Sequence, residues 1–223
     1  MNLAAAVRTV EEAGILLVFP NQNRADPPSL WGKMYPARKM RWDWDQSADR
    51  RVVDLWRLRE RLAESGKVAY GKWYRGRATL FSHAVFRGML ASFTEIAEPT
   101  LRLSHEAREL LEILEDDSPQ STKVLRERAD MRGREREGAY TRAMRELWTR
   151  LLIVGVGEVA DGAFPSLSIG ATRLIFEDLW EMRKDPSASD ARALAGALES
   201  SKGFAKQFAE TRETLRAAAG AAD

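Results

Sequence analysis

The chain contains no cysteine and only two histidines, His83 and His105. Those absences exclude a disulfide framework, thiolate metal ligation, a cysteine nucleophile and a histidine-rich metal centre. Both histidines stand beside a serine that can cap a helix, Ser82 and Ser104, which suits a capping or surface role. No glycine loop has the spacing that cradles a phosphate, and no dinucleotide fingerprint follows a strand. No cofactor and no metal are therefore expected. The chain also lacks a long hydrophobic run. Arg8, Glu11 and Glu12 interrupt the apolar stretch between Met1 and Pro20, so it reads neither as a signal peptide nor as a membrane span. A reducing compartment, with the cytoplasm as default, and no membrane association are the expectations.

What is present suits a folded protein: 223 residues, 44% of them hydrophobic, are enough for one large domain or two small ones packed together. The net charge is +2 and the isoelectric point about 9.0. The charge is segregated. Lys33 to Arg87 holds 14 Lys and Arg against 6 Asp and Glu, whereas Glu95 to Asp117 holds 8 acids against Arg102 and Arg108. The basic block suits a polyanionic partner, although basic helices also serve as solvated faces.

Along the chain, Leu3, Val7 and Val10 follow helical spacing, and Ile15 to Phe19 is a short apolar run that reads as a buried strand. Asp26-Pro27-Pro28-Ser29 can start a brief helix that carries Leu30, Trp31 and Met34 and stops before Pro36. A helix starting at Ser47-Ala48-Asp49 carries Val52, Leu55, Trp56, Leu58 and Leu62 on one stripe and ends at Ser65-Gly66. Lys67 to Phe81 places aromatic and β-branched residues on both sides of Arg75-Gly76, the pattern of a hairpin, and Ser82 caps the helix that follows. Pro99 to Leu103 reads as a linker. Ser104 caps the next helix, Ser118-Pro119 reads as the start of a short one, and Gly133 introduces a long basic helix with Tyr140, Met144 and Leu147 inward. Arg134, Arg142, Arg145 and Arg150 fall on its other faces. Leu152 to Val159 and Phe164 to Ile169 read as a second hairpin around Asp161-Gly162, followed by helices.

This order predicts a mostly helical α+β fold with short β-hairpins: tandem winged helix-turn-helix units over residues 1–98 and 99–170, with C-terminal helices over 171–223 packing on them. A helix fits the DNA major groove and arginine reaches phosphates and guanine edges, so Arg134, Arg142 and Arg145 are candidate DNA contacts. In the first hairpin Lys72, Arg75 and Arg77 offer cations to phosphates. Trp73 and Tyr74 offer rings for a base, or else are half-buried strand residues. The motif Arg41-Trp42-Asp43-Trp44-Asp45 sets rings beside carboxylates. Asp43 or Asp45 would serve there as the general base of a base-excising enzyme, or would simply pair with a nearby arginine while the tryptophans anchor the segment.

Several spaced strings carry a resemblance: Pro28-Ser29-Leu30-Trp31, Arg41 to Asp45, Val53 to Arg59, Lys72 to Thr79, and Asp161 to Leu167. Together, from about Gly14 to Trp180, they resemble the AlkZ-related proteins, relatives of bacterial crosslink-repair DNA glycosylases built from tandem winged helices. The resemblance implies a duplex-DNA partner, damaged DNA included, and for the full glycosylases excision of alkylated or crosslinked bases. Those enzymes carry a Gln, an apolar residue and an Asp or Gln shortly after an early Gly. The positions that line up here are Leu17, Val18 and Phe19. The other readings are a glycosylase using a different carboxylate, a winged-helix transcriptional regulator, and a protein-interaction module.

Overall fold

A computed structural model describes residues 2–41, 49–162 and 165–220. Trp42, Asp43, Trp44 and Asp45, singled out above as a possible base pocket, lie outside the described residues. Asn2 opens α1 (Leu3–Ala13) by accepting the Ala5 N–H. The apolar run after it forms β1 (Ile15–Leu17), and Ser29 caps the short α2 (Leu30–Met34). Asp49 caps α3 (Arg50–Glu64), which ends at Ser65. The hairpin of β2 (Ala69–Tyr74) and β3 (Arg77–Phe81) turns on two residues, Arg75 (φ 50°) and Gly76 (φ 74°). Two consecutive positive φ values define the turn that matches strand twist, and glycine removes half of its strain. Ser82 then caps α4 (His83–Thr94).

The first sheet has the order β1-β3-β2, all antiparallel, with Phe81 opposite both Ile15 and Ala69. Alternation along these strands fills two cores. Ile15, Leu17, Ala69, Trp73 and Phe81 enter one cluster, and Leu16, Val18, Val68, Tyr70 and Leu80 enter the other with α1, α2 and α3. A strand covered on both sides has no need of polar residues, which is why β1 is a continuous apolar run.

Ser104 caps α5 (His105–Asp116). Next come β4 (Gln120–Ser121), α6 (Thr122–Arg128), α7 (Arg134–Thr149), β5 (Ile153–Val159) and β6 (Ser166–Ala171). The second sheet runs β4-β6-β5, so one element order, helix, strand, helix, helix, strand, strand, occurs twice. The expected helix start at Ser118-Pro119 is corrected. Ser121 caps α6 and Gln120–Ser121 pairs with β6, because the Ser118 hydroxyl is committed to Leu114 O and to the Ala171 N–H.

Two short helices follow, α8 (Thr172–Ile175) and α9 (Glu177–Glu181), then α10 (Ala188–Glu199) and α11 (Lys202–Gly220). α10 packs on α4, where Arg87 makes two hydrogen bonds of 2.7 and 3.1 Å to the fully buried Asp190 carboxylate. Phe204 and Phe208 of α11 pack on Trp73 and Phe93. Among the described residues no helix is long and apolar enough to cross a membrane.

The two sheets meet closely. β2 packs on α7 and β5, and α3 packs on β5, so each hairpin lies against the other half's third helix. Gly71 sits over Trp148, where an added Cβ would come within 3.4 Å of the indole, and a Cβ on Gly155 would come within 2.3 Å of the Tyr70 ring. Beside these contacts Arg59 forms a buried ion pair with Glu158 and donates to the Tyr70 hydroxyl at 3.2 Å. The larger core cluster runs through this contact without a break, from Leu17 and Trp73 to Leu147 and Ile153.

Gly155→Ala is therefore expected to cost about 1–3 kcal/mol through overpacking on Tyr70. Gly196→Ala, in an open position on α10, is expected to gain up to about 1 kcal/mol, with urea denaturation reading both. Glu158→Ala leaves the Arg59 guanidinium buried without its counter-ion and is expected to cost about 3–5 kcal/mol in the same measurement.

Candidate nucleic-acid interface

The tip of the first hairpin carries Arg75, whose guanidinium lies 5.5 Å from the Tyr74 ring centre, and both Arg75 and Arg77 are exposed. The aromatic residues beside them are not exposed. Trp73 is 1% and Tyr74 4% accessible, enclosed by Phe81 and by Phe204 of α11. The expectation that Trp73 contacts DNA by stacking on a base is corrected: its ring faces are taken by core neighbours. The hairpin thus offers cations, not rings.

α7 starts at Gly133 (φ 96°) with Glu135 and Glu137 in its first turn. Acids there complement the partial positive charge of a helix N-terminus. Met144, Leu147 and Trp148 turn inward, which leaves Arg134, Arg142 and Arg145 exposed. Arg150 is different from the surface arginine expected of it. It ends α7 buried, donating to Pro99 O at 3.1 Å and Leu101 O at 2.6 Å and pairing with Glu146 at 2.8 Å, where it pins the segment between the two halves.

Where β2 crosses α7 a cleft of about 340 Å³ opens, lined by Lys72, Arg75, Arg145, Tyr140, Trp148 and Glu137 among others. Three of the cations expected from the sequence are brought together here. Arg142 continues the series, since it shares with Arg145 a second hollow of about 250 Å³ against Thr211, Thr214 and Leu215 of α11. Arg77 and Arg134 are exposed but line neither. On the other side, Thr122 and Tyr140 are shared with a third hollow of about 520 Å³ lined by Lys123, Arg126 and Arg132. The result is one basic band running from Arg142 past the hairpin tip to Arg132.

The band is not uniformly free. Arg126 pairs with Glu137 at 2.5 Å, Arg132 with Glu127, and Lys123 donates to Asp161 O. Among the described residues, Lys72, Arg75, Arg142 and Arg145 have no carboxylate within ion-pair distance. Burial, with the Arg59 guanidinium adding to it, holds the Lys72 amine below the ordinary lysine range. Burial also pushes the Tyr140 phenol up to about 12, against the lowering effect of Arg126, so it is a neutral donor at any physiological pH. Its hydroxyl lies 3.3 Å from Thr122 O.

Lys123, Arg126 and Arg132 were missed by the sequence reading. Their signal was the basic composition of the short helix after Ser121, which says nothing by itself about which helix lies next to it. The exposed arginines of α3, Arg50, Arg57 and Arg61, form a further basic strip, with Trp56 40% exposed between them and Arg59 lying 4.1 Å from its ring centre. In the segment where the glycosylase residues would align, Leu17 and Val18 are wholly buried and Phe19 is partly buried against Trp56.

Comparison with known proteins places this geometry in a lineage. No curated protein and no solved structure matches the chain. A family model does, over residues 1–163, and its description is AlkZ related. With most of its length matched, the chain belongs to the AlkZ-related family.

Proposed function

We propose that the chain is a DNA-binding protein made of two winged-helix units in tandem, 1–98 and 99–170, steadied by the C-terminal helices of 171–223, and that it acts on or near damaged duplex DNA. The observation that carries this reading is the cleft in which Lys72 and Arg75 of one hairpin meet Arg145 of the other half's third helix, none of them neutralised by a described carboxylate. Supporting the winged-helix assignment is the repeated element order with sheet orders β1-β3-β2 and β4-β6-β5. In such a unit the third helix enters the major groove and the hairpin follows the neighbouring backbone. Here α7 supplies Arg142 and Arg145 for the groove or its phosphates, and the β2-β3 tip supplies Lys72 and Arg75. Family membership supports DNA as the partner and repair as the setting.

Base excision by the family's usual triplet is not part of this proposal. Leu17 and Phe19, which stand at the triplet's two polar positions, carry no polar side-chain atom, so they cannot position water or steady a sugar cation. A protein-interaction module would use the same surface differently, because its binding would not depend on counterion release.

On a short duplex, binding is expected to weaken steeply with salt. The Arg75→Glu, Arg145→Glu double variant is expected to lose at least about tenfold in affinity, and Arg145→Ala to lower the salt slope by about 1. Arg192→Ala, on α10 and outside the cleft, is expected to bind as the parent does. Fluorescence anisotropy across a salt series makes the measurement. Salt-independent binding, or full affinity in the double variant, contradicts the proposal.

A further inference from the structure

The chain has eight lysines, and seven of them, Lys33, Lys39, Lys67, Lys123, Lys184, Lys202 and Lys206, are exposed. Lys72 alone is partly buried. It is also the one lysine lining the cleft, whose other cations are the guanidinium groups of Arg75 and Arg145. A phosphate clamp has no need of this arrangement. Arginine holds its charge under all conditions, pairs with phosphate through two donors and is weakly hydrated, so a partly buried phosphate contact favours it over lysine. An amine differs from a guanidinium in one chemical respect that matters here: once neutral it is a nucleophile toward a carbonyl carbon.

The surroundings of Lys72 lower its affinity for a proton. No described carboxylate lies within ion-pair distance of it; the other charged groups lining the cleft are Arg75, Arg145 and Glu137, the last of which pairs with Arg126. Burial and the Arg59 guanidinium both act to release its proton. Arg59 is itself fixed in place by Glu158 and Tyr70, so this neighbour is part of the fold and not a mobile surface charge. The cleft, of about 340 Å³, is large enough for a sugar, and Arg75 and Arg145 line it as cations for phosphate.

We propose that Lys72 captures the aldehyde of an abasic site in duplex DNA as an imine. The proposal rests on the DNA-binding reading of the same cleft. In the step, the Lys72 Nζ lone pair attacks the C1′ carbonyl carbon of the ring-opened deoxyribose. The carbonyl oxygen takes up the proton lost from nitrogen together with one from solvent and leaves as water, and the C=N bond remains, protonated. The reaction is reversible by hydrolysis. An external hydride donor such as cyanoborohydride reduces the imine carbon and converts the link to a stable secondary amine.

The test uses the full chain, a short duplex with one abasic site, the same duplex without a lesion, and cyanoborohydride. The expected result is a covalent protein–DNA adduct whose crosslinked peptide, by mass spectrometry, carries the sugar on Lys72. Lys72→Arg keeps a cation but no nucleophilic amine and is expected to lose at least about tenfold in adduct per molecule of DNA bound, with anisotropy on both duplexes giving the bound fraction. Lys72→Met is expected to lose the adduct as well, with circular dichroism and thermal melting checking its fold. Free deoxyribose 5-phosphate at equal concentration is expected to give far less adduct, since it lacks the flanking phosphates. Adduct of undiminished yield in Lys72→Arg, or mapped to another amine, overturns the proposal, as does efficient trapping of the free sugar in place of DNA. Tight lesion-free binding without any adduct overturns the imine alone, whereas failure to bind either duplex overturns the DNA-binding reading beneath it.

Discussion

Everything at the candidate interface depends on how closely β2 lies against the second half of the molecule. Gly71 lets the strand rest on the Trp148 indole, and Gly155 lets β5 take the Tyr70 ring against its backbone. A methyl group on Gly155 would collide with the Tyr70 ring, whereas one on Gly71 would just touch the indole. The Arg59–Glu158 pair lies in the same contact, closed by the Tyr70 hydroxyl. Buried pairs of this kind add little net stability over a well-packed apolar alternative, yet lose several kcal/mol when one partner is removed. Its consequence here is positional: the hairpin is held in one register against α7, and Lys72 and Arg75 face Arg145 across one cleft.

The same contact explains the charge distribution. The acids between Glu95 and Asp117 fall on α5 and the turns beside it, while Lys72, Arg75 and Arg145 meet where β2 and α7 converge. A net charge of only +2 therefore conceals a strongly basic band. Field lines from such a band are focused by the low-dielectric walls of a cleft, which raises the local concentration of a polyanion well beyond what net charge suggests. Glu137 lines the cleft but is paired with Arg126, and Glu127 is paired with Arg132, so neither neutralises Lys72, Arg75 or Arg145.

Much of the fold was legible in the sequence because its signals are local. Serine and aspartate caps at Ser29, Asp49, Ser82 and Ser104 mark four helix starts, and Arg75-Gly76 marks the hairpin turn. The two-residue strand β4 was not legible. Ser118-Pro119 has the form of a helix start, and only the pairing of Gln120 with Ile169, far along the chain, shows otherwise. The burial of Trp73 is decided by Phe204 of α11, and that of Arg150 by the carbonyls of Pro99 and Leu101. Each is a long-range contact with no trace in the local pattern. Arg75, Arg142 and Arg145 were recognisable as candidate contacts, but their meeting with Lys72 is a product of tertiary packing. Lys123 and Arg126 of α6, with Arg132 from the connection to α7, joined them only once α6 was placed beside α7.

Hydrogen–deuterium exchange with and without a lesion-free duplex tests most directly whether the two halves bind DNA as one surface. Protection is expected together at the β2-β3 tip around Arg75-Gly76 and along α7 from Arg134 to Arg145, with α10 unchanged. Protection confined to one of these two elements, or centred on the acidic helix α5, would contradict a shared binding face.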